Sequence, residues 1–223
     1  MSLPDPIERY VLRALAEAPV DSPGALQIAQ EGRMWMRRGA RGLAFTASEH
    51  FEVRRVAFSW RARFRGLGLR LDVVDGYDHG SGLLELRVYG VRIQRQSGPE
   101  LATGEATRYL AELPWVPYAM RHNDELEWRE IDEHTLEVAA DVAGERAAVT
   151  FHLDGAGDIA QVSARRRRQV GKNAWEETDW GGMFSEYEVL GGVRMPTAAE
   201  VYWDLDDGRF PYWSGRVLSA SPR

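Results

Sequence analysis

Apolar positions along the chain recur with two different periods, and the change of period marks out its elements. Ile7, Tyr10, Val11, Ala14, Leu15 and Ala18 keep the three-to-four spacing of an amphipathic helix. Pro4-Asp5-Pro6 opens that stretch and Pro19 closes it, which predicts a helix over 5–18. The cluster Asp21-Ser22-Pro23-Gly24 then predicts a turn. From residue 26 to 97 the period falls to two, the signature of strands with one face against a core. Leu26, Ile28 and Met34-Trp35-Met36 predict one strand, and Phe51, Val53, Val56, Phe58 and Trp60 two short ones. Leu67, Leu69, Leu71 and Val73 lead into Asp75-Gly76-Tyr77-Asp78-His79-Gly80, which reads as a turn. Leu84, Leu86, Val88 and Val91 follow it, so 67–93 is predicted as a hairpin.

The middle breaks this alternation. Residues 105–113 read as one short helix, stopped by Pro114 and followed by Trp115 and Pro117. Strands are then predicted at 127–132, 134–141, 146–153, 158–168, 183–190, 193–204 and 209–219. Turns at Asp154-Gly155, Gly191-Gly192 and Asp206-Asp207-Gly208 separate several of them. With no fixed-period repeat and no low-complexity linker, 1–223 reads as a single domain. The fold class expected is mainly β (α+β): a curved antiparallel sheet or incomplete β-barrel, with the N-terminal helix and the short central helix covering or plugging it.

Composition narrows the chemistry. The absence of cysteine excludes disulfide scaffolds, thiolate nucleophiles and Cys-ligated metal sites. A net charge of −6, spread along the chain, argues against non-specific nucleic-acid binding. No apolar run is long enough to span a bilayer, and no secretory signal is visible. A cytoplasmic location is the default expectation, and an envelope-associated one follows if Met1-Ser2-Leu3 is not the native start. Eight tryptophans supply aromatic mass whose N–H groups need partners when buried, which suits an apolar pocket containing some polar atoms.

Several segments resemble an uncharacterised bacterial family of unknown function. They are Leu3-Pro4-x-Pro6 with Arg9-Tyr10, Phe58-x-Trp60-x-Ala62, and Asp75-x-Tyr77-x-x-Gly80-x-Gly82. Arg108-Tyr109-Leu110-Ala111-Glu112-x-x-Trp115-x-Pro117 is the most specific of them. Trp180-Gly181, Gly192-x-Arg194-x-Pro196, Trp203 and Phe210-x-Tyr212 extend the match through the tail. The resemblance assigns no activity. In outline the strand pattern is similar to lipoprotein-carrier half barrels of the LolA type, a likeness of architecture only.

Candidate chemistry gathers at Arg108 and Glu112, which share a helix face at a spacing of four. They form either a pair at a pocket rim that orients a polar ligand head, or an ion pair tying the helix to the sheet. Trp115, Trp203 and Tyr212 are expected to line the apolar part, with one of Tyr202/Trp203 and one of Tyr212/Trp213 pointing inward. Glu112 and Glu200 are the first candidates for a raised pKa beside aromatic rings. Of Arg165-Arg166-Arg167-Arg168, two should face each way, and the inward pair could meet Glu105, Glu112 or an anionic ligand. No GxSxG, P-loop, GxGxxG or paired-histidine motif is present, so no catalytic residue is assigned and neither metal nor cofactor is expected. The leading expectation is an apolar or amphipathic small molecule bound by Arg108, Glu112, Trp115, Glu200, Trp203 and Tyr212. A cofactor-independent enzyme using a cavity carboxylate, and a structural or envelope-associated protein with a filled core, are the alternatives.

Overall fold

The computed structural model describes residues 3–19, 21–66, 68–171 and 174–223. The predicted strand residue Leu67 and the start at Met1-Ser2 lie outside the described residues. Thirteen strands form one antiparallel sheet whose two edges are neighbours in the sequence. The first arm is β1 (Ala25–Met34), β2 (Leu43–Glu52), β3 (Phe58–Gly66), β4 (Leu69–Asp78), β5 (Ser81–Val88) and β6 (Val91–Gln96). The second is β7 (Glu127–Asp132), β8 (Thr135–Val142), β9 (Glu145–Leu153), β10 (Ile159–Gly171), β11 (Ala174–Leu190), β12 (Val193–Leu205) and β13 (Gly208–Pro222). Each arm is a meander, and β1 pairs with β13 to join them at the centre. Strands β6 and β7 are the edges and do not pair with each other, so the sheet stays open rather than closing into a barrel.

The chain between the two edges is helical: α2 (Pro99–Ala111), a 3-10 turn (Leu113–Trp115) and α3 (Pro117–His122). Helix α2 packs on β4 and β5 of one arm and on β8, β9 and β10 of the other, so it lies inside the curve and bridges both arms. Gly82 permits this close seat, because a Cβ there would meet the backbone of α2 at Ala102 N, 2.8 Å away. Tyr109, Leu110, Leu113, Val116 and Tyr118 are fully buried beneath the sheet's curve. Burying each of the large apolar ones stabilises the seat by roughly 1.5–3 kcal/mol. Helix α1 (Asp5–Ala14) packs on α3 and β12, with Ile7, Tyr10, Val11 and Ala14 inward. Among the described residues no helix is long and apolar enough to cross a membrane.

The fold class is as the pattern predicts, and several boundaries move. Helix α1 stops at Ala14 rather than 18, because residues 15–18 close as turns through Ala16 N–H to Arg13 O and Ala18 N–H to Leu15 O. Pro19 also disfavours a helical Ala18. The central helix begins at Pro99, six residues before the predicted 105: Pro99 is pre-set for a first turn, and Thr103 and Gly104 are tolerated within it. Pro117 likewise opens α3, a helix that the sequence pattern did not predict. Asp75-Gly76-Tyr77-Asp78 is not turn but the last part of β4; only His79-Gly80 turn. Strand β11 reaches back to Ala174, well before 183, through a charged and glycine-containing stretch that lacks apolar alternation.

Candidate functional site

The concave side is not filled by its own side chains. Beneath α2 a cavity of about 390 Å3 remains between the two arms. Its apolar wall includes Trp60, Phe64, Leu71, Val73, Leu84 and Leu86 from the first arm. Val162, Trp180, Phe184, Val201, Trp203, Tyr212 and Trp213 come from the second, and Trp115 from the helical segment. Asp75, Glu105, Arg108, Glu112 and Arg166 make its polar end.

Arg108 organises that polar end. Its Nε donates to Oε1 of Glu112, Nη1 to Oδ2 of Asp75 and Nη2 to Oε1 of Glu49, each at 2.8 Å. The guanidinium also lies 4.9 Å from the Phe58 ring centre and 5.1 Å from that of Trp60. Such planar, three-way recognition is specific to arginine. Glu49 is completely buried, and Gln30 Nε2 donates to its other oxygen at 3.0 Å. Trp60 Nε1 donates in turn to Gln30 Oε1 at 2.9 Å, so the ring of a cavity wall fixes the amide behind the carboxylate. The helix is thereby tied to β2 and β4 by one side chain.

Burial pushes Glu49 well above the usual carboxylate range, and the charge of Glu112 adds to that, against the pull of Arg108. Glu105, only 7% exposed, is likewise raised well above that range by burial and by Asp75. Glu112 is raised by burial, opposed by Arg108. For Arg108 burial acts to lower the pKa, but Glu112, Glu49, Asp75 and Glu105 outweigh it and hold the guanidinium well above its ordinary value. Among the described residues the buried oxygens Asp75 Oδ1 and Glu105 Oε2 have no hydrogen-bond donor, while Glu112 shares a side-chain hydrogen bond with Glu49.

The opposite side of the polar end is closed by Arg166. It donates to Gly104 O at 2.7 Å and lies 4.7 Å from the Trp180 ring centre. Arg165 and Arg167 face outward toward Glu177 and Asp179, so the arginine run divides between faces as its strand position requires. Trp180 Nε1 donates to Tyr212 Oη at 3.0 Å, and Trp115 Nε1 to Pro196 O at 2.9 Å. Trp203 and Tyr212 stack with ring centres 6.1 Å apart.

All six residues singled out in the sequence lie around this one cavity, but not all as expected. Arg108, Glu112, Trp115, Trp203 and Tyr212 present side chains to it. Glu200 borders it from a strand position paired with Met183, whose side chain lies on the exposed convex face, and it acts on Tyr202 and Arg209 there. The raised carboxyls at the cavity are Glu49, Glu105 and Glu112. Tyr212 and Trp213 do not face opposite ways. A bulge between Val201 and Tyr202 pairs Val201 with Trp213 and Tyr202 with Pro211, leaving Tyr212 as the extra residue, and both aromatics reach the cavity. Glu49 and Asp75 were missed, although each continues an inward alternation: Phe45, Glu49, Phe51 on β2 and Leu71, Val73, Asp75 on β4.

An open antiparallel sheet, with helices in its concavity and an apolar cavity left between them, defines a helix-plugged incomplete barrel. The chain belongs to DUF6544, a family of unknown function whose model matches residues 1–215. Among solved structures it is similar to a LolA superfamily protein from Nitrosomonas europaea, with TM-score 0.51 and 10% identity over 96% of this chain and 93% of that one. It is also similar to a DUF1329 family protein from Desulfovibrio piger, with TM-score 0.51 and 12% identity over 98% and 94%. At such identities the likeness shows the fold. Comparison with curated proteins finds no match.

Proposed function

We propose that the protein binds a small amphipathic molecule in this cavity, its apolar body against the tryptophan-rich wall and its polar head toward Arg108, Glu105 and Glu112. The observation that carries the reading is a cavity of about 390 Å3 with aromatic and aliphatic walls and its charged groups gathered at one end. Binding pockets for small ligands have this composition: mostly apolar, with a few convergent polar groups.

Two measurements test the proposal. Native mass spectrometry of the purified protein, followed by organic extraction, should reveal a stoichiometric apolar or amphipathic passenger. Titration of the emptied protein with the neutral dye N-phenylnaphthylamine should give a saturable rise in emission at one site, lost in Val201→Trp, whose indole would occupy the cavity. A protein that carries no passenger and leaves the dye dark contradicts the reading.

A further inference from the structure

The polar end of the cavity has an imbalance that its own side chains do not resolve. Glu49, Asp75, Glu105 and Glu112 converge there, against the guanidinium groups of Arg108 and Arg166. Each of the three nitrogens of Arg108 already donates to one of the chain's own carboxylates. Arg166 is held by Gly104 O and the Trp180 face. Among the described residues Arg166 makes no ion pair, but an anionic head beside it would still face Asp75, Glu105 and Glu112.

What remains unsatisfied is acceptors. Among the described residues, Oδ1 of Asp75 and Oε2 of Glu105 are buried without a donor, whereas Glu112 shares a side-chain hydrogen bond with Glu49; all of Asp75, Glu105 and Glu112 line the cavity. A buried polar atom left unpaired has lost its water without a replacement partner, which is unfavourable. An ammonium group offers three donors and no acceptor, which matches a set of unpartnered oxygens better than a hydroxyl or a carboxylate does. Glu105 stands out among them because, unlike Glu112 and Asp75, it has no hydrogen bond from Arg108.

We infer that the ligand of this cavity carries a cationic ammonium head, seated against Glu105 beside Asp75 and Glu112, with a single apolar chain along the tryptophan wall. This rests on the ligand-binding reading above and specifies the class of molecule. Burial and Asp75 keep the Glu105 carboxyl protonated well above the usual range in the free protein. A cation placed beside it favours the ionised form, so binding expels a proton to solvent and tightens as pH rises.

The test is displacement of N-phenylnaphthylamine by decylammonium, decanol and decanoate near neutral pH, each below its micellar concentration. Decylammonium should displace the dye at a concentration at least tenfold lower than decanoate, with decanol between them. Glu105→Gln should shrink that gap several-fold. Calorimetry in two buffers of different ionisation enthalpy should register proton release on decylammonium binding, absent in the variant. Decanoate binding as tightly as decylammonium, or a preference that Glu105→Gln leaves unchanged, overturns the inference while leaving the cavity reading intact. Failure of the dye and all three amphiphiles removes both. Should the variant fold poorly, the comparison of the three heads on the natural chain still decides.

Discussion

Arg108 Nη2 on α2 and Glu49 Oε1 on β2 meet at 2.8 Å, although 59 positions separate them in the chain. That contact holds a helix inside an open sheet, and it joins a fully buried carboxyl to the only guanidinium that reaches it among the described residues.

Removing the cation should therefore be severe. Arg108→Met strands Glu49, Asp75 and Glu112 without their shared partner and is expected to cost about 3–5 kcal/mol. Arg108→Lys should recover only part of this, since one ammonium cannot span three carboxylates in a plane. Urea unfolding of both variants measures the costs, and equal stability of Arg108→Met and the natural protein would refute the tie.

The excess of raised carboxyls fixes a pH dependence. A carboxyl with a raised folded pKa holds a proton that the unfolded chain has released. Stability therefore falls as pH rises, from about 4.3 up to the folded value. Each such group contributes a slope of up to about 1.4 kcal/mol per pH unit within that window. Glu105→Gln should remain folded and lose stability less steeply than the natural protein as pH rises above about 4.3. Parallel melting curves would show that Glu105 is ionised throughout.

The opposite sign applies at Asp158. It takes a bidentate pair from Arg194 at 2.7 Å on each arm, and Arg13 of α1 joins it at 3.5 Å. Hydrogen bonding to Arg194 holds its pKa below the usual carboxylate value. The stabilisation is thus present above about pH 4 and lost as pH falls below it. Asp158→Asn should cost about 1.5–3 kcal/mol at neutral pH. The difference should shrink as pH falls below about 4, as read from denaturant midpoints at neutral and acidic pH.

Gly181 tests the packing of β11 against its neighbours. A Cβ there would lie 2.6 Å from Tyr202 Oη and 2.8 Å from the carbonyl oxygen of Val162. Gly181→Ala should destabilise by about 1–3 kcal/mol through overpacking. Gly155→Ala, where no heavy atom comes within 4 Å, should be close to neutral in the same thermal melts.

Much of this architecture is written locally. Alternation along β8, β9 and β12 sets which residues turn inward, and the spacing of Arg108 and Glu112 puts both on one helix face. Where the local pattern is ambiguous, the reading slips. Charged and glycine-bearing residues 174–182 carry no alternation, yet pairing with β10, joined by β12 from Asp179 onward, makes them strand. Glycine and aspartate in 75–78 look like a turn, yet pairing with β3 and β5 keeps them extended.

The sequence by itself determined the fold class, the helix that carries the arginine and the aromatic stock of the cavity, because these follow from periodicity within a few residues. Only the tertiary structure decided that β1 pairs with β13, that a bulge turns both Tyr212 and Trp213 inward, and that Glu49 and Asp75 meet Glu105 and Glu112 around Arg108. Those outcomes depend on strand register between segments far apart in the chain. Period-two spacing records the face a side chain takes but not the partner it will meet there.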